Sequence, residues 1–199
     1  MKAELVYYYG AMGCGKTREL LKVMHSRQED GFSVVIMKPL LDKKGGDSVE
    51  SRDSSGCKVD FLIGKDDNIY SIISNHLVYN NLDLILVDEA QFFNRHHIDE
   101  LSDIVDILGV SVMCYGLRAD FRGELFEGSK RLFEIADNIL EIERQCSCGN
   151  KKIYNMRLEN GIPVFEGEQI AIDGVDATYD AKCRNCYKKL KRKYNKLKR

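Results

Sequence analysis

The residues with the clearest chemical potential form a glycine-rich stretch near the start of the chain, residues 10–17. Its letters, GAMGCGKT, fit the phosphate-binding pattern G-x-x-x-x-G-K-[ST] at every fixed position. In such a loop, backbone N–H groups surround a phosphate and the following helix adds a partial positive charge. Lys16 is expected to reach the outer phosphates, and the Thr17 hydroxyl is expected to hold Mg²⁺. The predicted nucleotide-binding residues of this stretch are Gly10, Ala11, Met12, Gly13, Cys14, Gly15, Lys16 and Thr17.

A pair of carboxylates follows an aliphatic run at residues 82–87. A central parallel strand of a phosphate-binding enzyme typically ends in the acid that faces Mg²⁺, and Asp88 has that position. Glu89 could orient water in a hydrolase or accept a proton from an acceptor hydroxyl in a kinase, and the residue alone does not decide. A strand that simply stops at a charged turn is the competing interpretation. Ala90 and Gln91 complete the predicted nucleotide-binding set.

Aromatic side chains gather just after these carboxylates and again after the next apolar run. Phe92 and Phe93 come first, and residues 117–126 contain two further rings, Phe121 and Phe126. Rings at the catalytic end of a sheet suit a flat base, which favours an organic acceptor over water. Ordinary core packing is the alternative.

Cysteine spacing points to a metal near the C-terminus. The chain has seven cysteines, and in a cytosolic protein these argue against a disulfide framework. Four of them fall into two close pairs, which is typical of a metal site: Cys146 with Cys148, and Cys183 with Cys186. The isolated ones, Cys14, Cys57 and Cys114, are explained as small buried hydrophobes.

The elements that must position these residues alternate between strands and helices. Apolar runs predict buried strands at residues 5–9, 33–38, 82–87 and 110–114. Apolar residues at helical spacing predict helices directly after Thr17, at 69–77 and at 98–108. This order predicts an α/β fold, a doubly wound parallel sheet that binds ligands at the carboxyl ends of its strands.

Two stretches between these elements carry no clear pattern. Residues 40–56 predict a long mobile loop, in which Asp42, Lys43 and Lys44 could meet Mg²⁺ or phosphate, or could equally be solvated. His96 and His97 are expected in a solvated helix-cap region rather than at a metal.

Composition and charge narrow the setting. With 44% hydrophobic residues and two prolines, the chain is expected to be ordered and globular. Residues 10–17 begin too near Met1 for a signal peptide, and no apolar run is long enough to span a bilayer, so we expect a cytoplasmic protein without membrane contact. Ten of the 30 basic residues follow Ala181, so the part of the chain before it has 20 basic and 31 acidic residues, a formal net charge of about −11. A nucleic acid polymer is therefore not the expected ligand of the main body. The basic tail, residues 188–193, could touch RNA or acidic partners, but a solvated, frayed terminus is the expectation.

The chain resembles the type II thymidine kinases, the zinc-containing cytosolic class, over nearly its whole length. The resemblance rests on four stretches taken in order: Ala11-Met12, the run DEAQFF at 88–93, Gly116-Leu117 with Phe121 and Phe126, and Thr178-Tyr179 followed by CRNCY at 183–187. It implies a P-loop NTPase core of the RecA-like type at residues 1–143. A small domain at 144–199, containing zinc, a substrate lasso and the basic tail, would follow.

The resemblance also implies the reaction and the roles of individual residues. Glu89 would be the general base that takes the proton from the 5′-hydroxyl of thymidine, which then attacks the γ-phosphoryl group of ATP, with Asp88 beside Mg²⁺. Deoxyuridine is a further expected acceptor. The residues implied to enclose the thymine are Met12, Phe92, Leu117, Phe121, Phe126 and Tyr179, with backbone contacts from a lasso loop around 169–175 that includes Ile170, Ile172 and Gly174. A homotetramer and inhibition by thymidine triphosphate are expected by the same resemblance.

The two cysteine pairs bracket this lasso, and a structural Zn²⁺ ion bound by Cys146, Cys148, Cys183 and Cys186 would pin both of its ends. The first pair is C-x-C where the family usually has C-x-x-C, so a three-cysteine site or two unpaired thiols is the alternative. Lys43-Lys44 stands where relatives tend to have Thr-Arg, and lysine cannot copy a bidentate arginine contact. A second hypothesis is a P-loop ATPase or nucleotide-switched binding module whose zinc segment docks a partner.

Overall fold

The protein is described by a computed structural model that covers residues 2–40, 48–51, 54–170 and 177–197. Its strands, numbered in chain order, are β1 (Leu5–Gly10), β2 (Val34–Pro39), β3 (Ser48–Ser51), β4 (Ser54–Lys58), β5 (Phe61–Ile63), β6 (Leu84–Val87), β7 (Ser111–Leu117), β8 (Asn138–Glu141), β9 (Tyr154–Glu159), β10 (Ile162–Val164) and β11 (Ala177–Lys182). Its α-helices are α1 (Lys16–Glu29), α2 (Ile69–Leu77), α3 (Arg95–Asp103), α4 (Glu127–Ile135) and α5 (Arg184–Leu197). Within those ranges, no helix combines the length and apolar character that crossing a bilayer requires.

A six-stranded sheet in the order β5-β2-β6-β7-β1-β8 forms the centre of the molecule, and every pairing in it is parallel. Successive residues of each central strand enter two different hydrophobic clusters. Ile85 and Val87 of β6 pack with α2, α3 and α4, whereas Leu84 and Leu86 pack with α1. A sheet covered on both faces needs apolar residues on both, which is why its strands are continuous apolar runs. The predicted doubly wound parallel sheet is confirmed.

The strand order determines where the chemistry lies. β7 separates β1 from β6, so the carboxyl ends of the strands that carry the glycine-rich loop and Asp88 lie about 10 Å apart, two strand spacings. That gap is within reach of a lysine side chain or a triphosphate. The topology therefore brings the two sequence motifs to the same edge of the sheet, on either side of the end of β7.

The sheet and its loops differ from prediction in two places. The edge strands β5 and β8 extend the four predicted strands to six, and part of the predicted loop at 40–56 is an antiparallel hairpin, β3 with β4. The loop prediction was wrong for these hairpin residues, because Val49 packs against the α1 face of the sheet and gives the hairpin a buried anchor. Asp42, Lys43 and Lys44 lie outside the described residues.

The helix predicted at 98–108 is divided in two. α3 continues into a π-helical turn, Ile104–Leu108, that ends at Gly109. His97 closes a capping box with Asn94 and contacts the backbone carbonyl of Asp67, so it is a cap residue as predicted. The expected solvation was wrong, since this imidazole is buried and burial lowers its pKa.

The C-terminal segment, which we define as residues 144–197, has a sheet and a small core of its own. Its antiparallel sheet has the order β10-β9-β11, and α5 packs against it through Tyr187, Leu190 and Tyr194. The expectation of a frayed basic tail was therefore wrong for residues 188–193, because these three apolar side chains recur at helical spacing among the lysines. The proposed boundary between residues 143 and 144 stays a prediction.

Candidate active site

The glycine-rich loop connects β1 to α1, as its sequence predicted. Gly15 caps α1 in a left-handed conformation, and the first turn of the helix begins at Lys16. The Lys16 side chain is buried, and its Nζ lies 3.3 Å from the carbonyl oxygen of Ala11. The ammonium group therefore lies against the backbone of the loop.

Asp88 directly follows β6, in an environment that suits a cation. It is 5% exposed, and its Oδ1 has no hydrogen-bond partner among the described residues. Burial, together with the neighbouring charge of Glu89, raises the pKa of Asp88 to about 7, while Lys16 and Lys38 act in the opposite direction. Burying a carboxylate oxygen without a hydrogen-bond partner is energetically unfavourable, but such an oxygen is a suitable ligand for Mg²⁺.

Glu89 stands directly beside it in a conformation that few residues adopt. Its φ is +50°, in the left-handed region, where a non-glycine side chain costs on the order of 1–3 kcal/mol. The carboxylate accepts a 2.5 Å hydrogen bond from Nε2 of Gln91. Strain of this kind clusters at functional sites. The backbone turn and this bond together fix the direction in which the carboxylate points.

Gln91 connects that carboxylate to the neighbouring strand. It is 1% exposed, and its Oε1 accepts the backbone N–H of Leu117 at 2.9 Å. Gly116 makes room for it, because a Cβ at that position would lie 2.9 Å from the same Oε1. The carbonyl of Leu117 is held as well, by the hydroxyls of Tyr7 and Ser129. One buried amide therefore links the orientation of Glu89 to the backbone after β7.

The aromatic side chains predicted to face an organic acceptor lie around the same strand ends and are largely buried. The rings of Phe92 and Phe126 meet edge to face, with centroids 5.6 Å apart. Phe126 and Leu117 are buried and Phe92 is partly exposed. Phe121 is 1% exposed and lies beneath the guanidinium of Arg157, 5.2 Å from its ring centroid.

The predicted lasso residues are described only in part. Ile172 and Gly174 lie outside the described residues. Ile170 is 51% exposed, and the preceding Gln169 places Nε2 3.3 Å from Oδ2 of the buried Asp120. Tyr179, on β11, is half-buried, and burial raises the pKa of its hydroxyl. The entry to the lasso is thus attached to the segment after β7.

Four cysteines meet in one cluster, although they come from distant parts of the chain. The sulfurs of Cys146, Cys148, Cys183 and Cys186 all lie within 4.8 Å of one another. The sulfur of Cys148 lies 3.4 Å from that of Cys183 and 3.6 Å from that of Cys186. A tetrahedral site with Zn–S bonds of about 2.3 Å has sulfurs about 3.8 Å apart, so the arrangement fits a zinc ion.

The short C-x-C spacing is accommodated by a tight turn. Gly149 has a φ of +84°, and the N–H of Cys146 donates to the carbonyl of Asn150 at 2.8 Å, which closes the turn without a second residue between the cysteines. Backbone N–H donors, that of Cys148 first, lower the pKa of Cys146 to about 6. Hydrogen bonds to neighbouring sulfurs raise the pKa of Cys186 to about 12. Sulfurs packed this closely need a cation before all can be thiolates.

Three buried polar residues at the site were missed by the sequence reasoning. Lys38 is the penultimate residue of β2, directly after the Met37 that pairs with Val87, and it is 2% exposed. A lysine that ends an apolar strand is the same kind of signal that identified Asp88, so it could have been found. Asn155 and Arg157 lie on β9 and are 3% and 5% exposed. Nothing in the local sequence distinguishes them.

Comparison with known proteins gives one consistent family. A sequence model described as "Thymidine kinase" matches residues 3–187. The chain is 45% identical over 190 residues to a thymidine kinase of Lactiplantibacillus plantarum, covering 93% of this chain and 95% of that one. It is 42% identical over 194 residues to a thymidine kinase of Enterobacteria phage T4, covering 96% and 98%. A Pif1 helicase from Candida albicans aligns with a TM-score of 0.41 and 15% identity over 71% of this chain and 36% of that one, a similarity too low to bear on function.

Proposed function

This chain belongs to the thymidine kinase family, and we propose that it transfers the γ-phosphoryl group of ATP to the 5′-hydroxyl of thymidine. The products would be thymidine monophosphate, a DNA precursor, and ADP. The observation that carries the proposal is how much of the chain the family match covers. It spans residues 3–187, which include the glycine-rich phosphate loop at 10–17, the carboxylate pair and all four clustered cysteines.

Glu89 is the proposed general base. As the 5′-oxygen forms its bond to the γ-phosphorus, the bond from that phosphorus to the bridging oxygen of ADP breaks, and the hydroxyl proton passes to the Glu89 carboxylate. Gln91 occupies one carboxylate oxygen as a donor, which leaves the other for the substrate hydroxyl. The constrained backbone at Glu89 supports this role, since a base must be held within hydrogen-bond reach of its proton.

The charge of the triphosphate is met by the loop and by β6. We propose that the Lys16 ammonium leaves the Ala11 carbonyl for the outer phosphates, and that the backbone of residues 10–17, Ala90 and Gln91 lines the nucleotide. When bound, Mg²⁺ would neutralise charge on the β- and γ-phosphates, and the Thr17 hydroxyl and the bare oxygen of Asp88 fit it as ligands.

The acceptor would lie against the apolar groups at the strand ends. We propose that the thymine is enclosed by apolar and aromatic side chains and by the backbone of the lasso: Met12, Phe92, Leu117, Phe121, Phe126, Tyr179, Ile170, Ile172 and Gly174. The edge-to-face pair of Phe92 and Phe126 supports this, because an aromatic face left partly exposed can stack on a base.

The cysteine cluster is proposed to hold a structural Zn²⁺ ion. It joins the turn that begins the C-terminal segment to the start of α5, and so fixes both ends of the chain that carries the lasso. Family membership supports three further proposals: a cytoplasmic location, a homotetramer, and inhibition by thymidine triphosphate.

The test is release of ADP from ATP-Mg with and without thymidine. We expect turnover that requires the nucleoside, and strong ATP hydrolysis without it would refute the kinase in favour of an ATPase. Glu89→Gln should reduce kcat by about 10²–10⁴-fold with little change in nucleotide affinity. Glu29→Gln, at the exposed end of α1, is the matched control. A near-normal rate for Glu89→Gln would remove it from the role of base.

A further inference from the structure

One buried side chain of the C-terminal segment reaches the phosphate loop. Oδ1 of Asn155 accepts the backbone N–H of Met12 at 2.7 Å, and Nδ2 of the same amide donates to the carbonyl of Ala119 at 2.9 Å. A second contact falls on the next residue of the loop, where Nη1 of Arg144 donates to the carbonyl of Gly13. The apex of the phosphate loop is therefore held from outside the central sheet.

The position of Asn155 connects three parts of the site. On β9, Asn155 pairs with Ala181 of β11, the strand that carries Tyr179 and leads into Cys183. Ala119 follows Leu117 on the segment after β7. Since the amide is 3% exposed, its two hydrogen bonds are not replaced by water, and a displacement of one partner is transmitted to the other.

We propose that Asn155 is a positioning residue that couples nucleoside binding to the phosphate loop. The inference rests on the proposed function, since it assigns the two sides of the site to thymidine and ATP. Met12 belongs to both sides: its backbone forms the loop, and its side chain is proposed to face the thymine. A nucleoside that orders the β9–β11 sheet thereby orders the loop, so each substrate lowers the entropic cost of binding the other.

The experiment measures the affinity of a non-hydrolysable ATP analogue by calorimetry, with and without saturating thymidine. In the wild type, thymidine should tighten analogue binding, and the analogue should tighten thymidine binding by the same factor. Asn155→Ala should reduce that factor about five- to tenfold, the equivalent of one net hydrogen bond. Asn155→Asp keeps an acceptor for Met12 but faces the Ala119 carbonyl with a second oxygen, so it should lose part of the coupling.

Two further measurements keep the proposal open to refutation. Arg144→Met removes the second loop contact from an exposed position, and should weaken the coupling even if the Asn155 variants fold poorly. Hydrogen–deuterium exchange of the unliganded protein should be faster at the Met12 amide in Asn155→Ala than in the exposed control Asn138→Ala. Unchanged exchange at Met12, or unchanged coupling in both variants, would overturn the inference. Absence of thymidine-dependent turnover in the wild type would instead refute the proposed function, while the exchange measurement would still test the Asn155 contact.

Discussion

Replacing Gln91 with methionine is the sharpest test of how the site is organised. Methionine is close to glutamine in size, so the cavity is filled, but both hydrogen bonds are lost. The buried N–H of Leu117 is left without a partner, at about 1–3 kcal/mol, and the Glu89 carboxylate loses a charge-assisted donor worth about 1.5–3 kcal/mol. Because Glu89 is only partly buried and regains water, we expect a total loss of about 2–4 kcal/mol in the free energy of unfolding.

The effect on the reaction follows from the same two bonds. Without its donor, Glu89 is free to leave the direction that faces the acceptor, and we expect kcat to fall about 10–100-fold, or roughly 1.4–2.7 kcal/mol. The KM for ATP should change little. Urea unfolding measures the stability loss and steady-state ADP release measures kcat, with Gln28→Met on the exposed end of α1 as the matched control.

A second variant separates loss of the donor from loss of shape. Gln91→Glu retains an acceptor for Leu117 but places a carboxyl group against Glu89, so the pair must share a proton and the acid limb of the pH–rate profile should move to higher pH. If Gln91→Met kept kcat within twofold of the wild type while stability fell as expected, Gln91 would be a packing residue, and its orienting role toward Glu89 would be refuted.

Three other predictions concern the metal sites and the pocket. Burial raises the pKa of Asp88 to about 7, so without added Mg²⁺ the folded chain holds a proton that the unfolded chain releases near pH 4. The free energy of unfolding should therefore fall by up to about 4 kcal/mol as pH rises from 4 to 7. Urea titrations should show this fall in the wild type and not in Asp88→Asn. Cys146→Ser should lose bound zinc by elemental analysis and unfold at a lower temperature, whereas Cys57→Ser, outside the cluster, should retain the metal. Phe92→Ala should raise the KM for thymidine about tenfold with the KM for ATP unchanged, since it removes the partner ring of Phe126.

The strands that carry the motifs could be predicted from sequence because both of their faces are buried. β6 is apolar at every position and fully buried, so its run of aliphatic residues has no competing interpretation. The edge strands gave no such signal. β5 has three residues, and β8 leaves Ile139 and Leu140 exposed, so neither the length nor the alternation of a strand is visible.

The helix α5 was not predicted because its sequence is rich in lysine and arginine. Within α5, the buried face consists of Tyr187, Leu190 and Tyr194, while lysines and arginines cover the rest. Ten basic residues without an acid indicate a solvated tail by composition, yet three apolar residues at a spacing of three and four are enough to bury one stripe. Periodicity was the stronger signal here, and composition outweighed it in the prediction.

The site itself was predictable as far as its charged groups and not beyond. Lys16 and the carboxylate pair follow from a local pattern, because phosphate and Mg²⁺ demand particular residue types at fixed spacing.

The loops that hold these charged groups have no such pattern. Their backbone groups lie past the ends of the parallel strands, where no hydrogen bonds to a neighbouring strand are available. Each buried N–H or carbonyl there still needs a hydrogen-bond partner. In this chain two uncharged amides supply several of those partners, Gln91 for Leu117 and Asn155 for the phosphate loop. An amide suits the task because it donates and accepts at once and adds no charge where a triphosphate, a cation and two carboxylates already compete. Since its partners lie 26 and 143 residues away, only the fold reveals it.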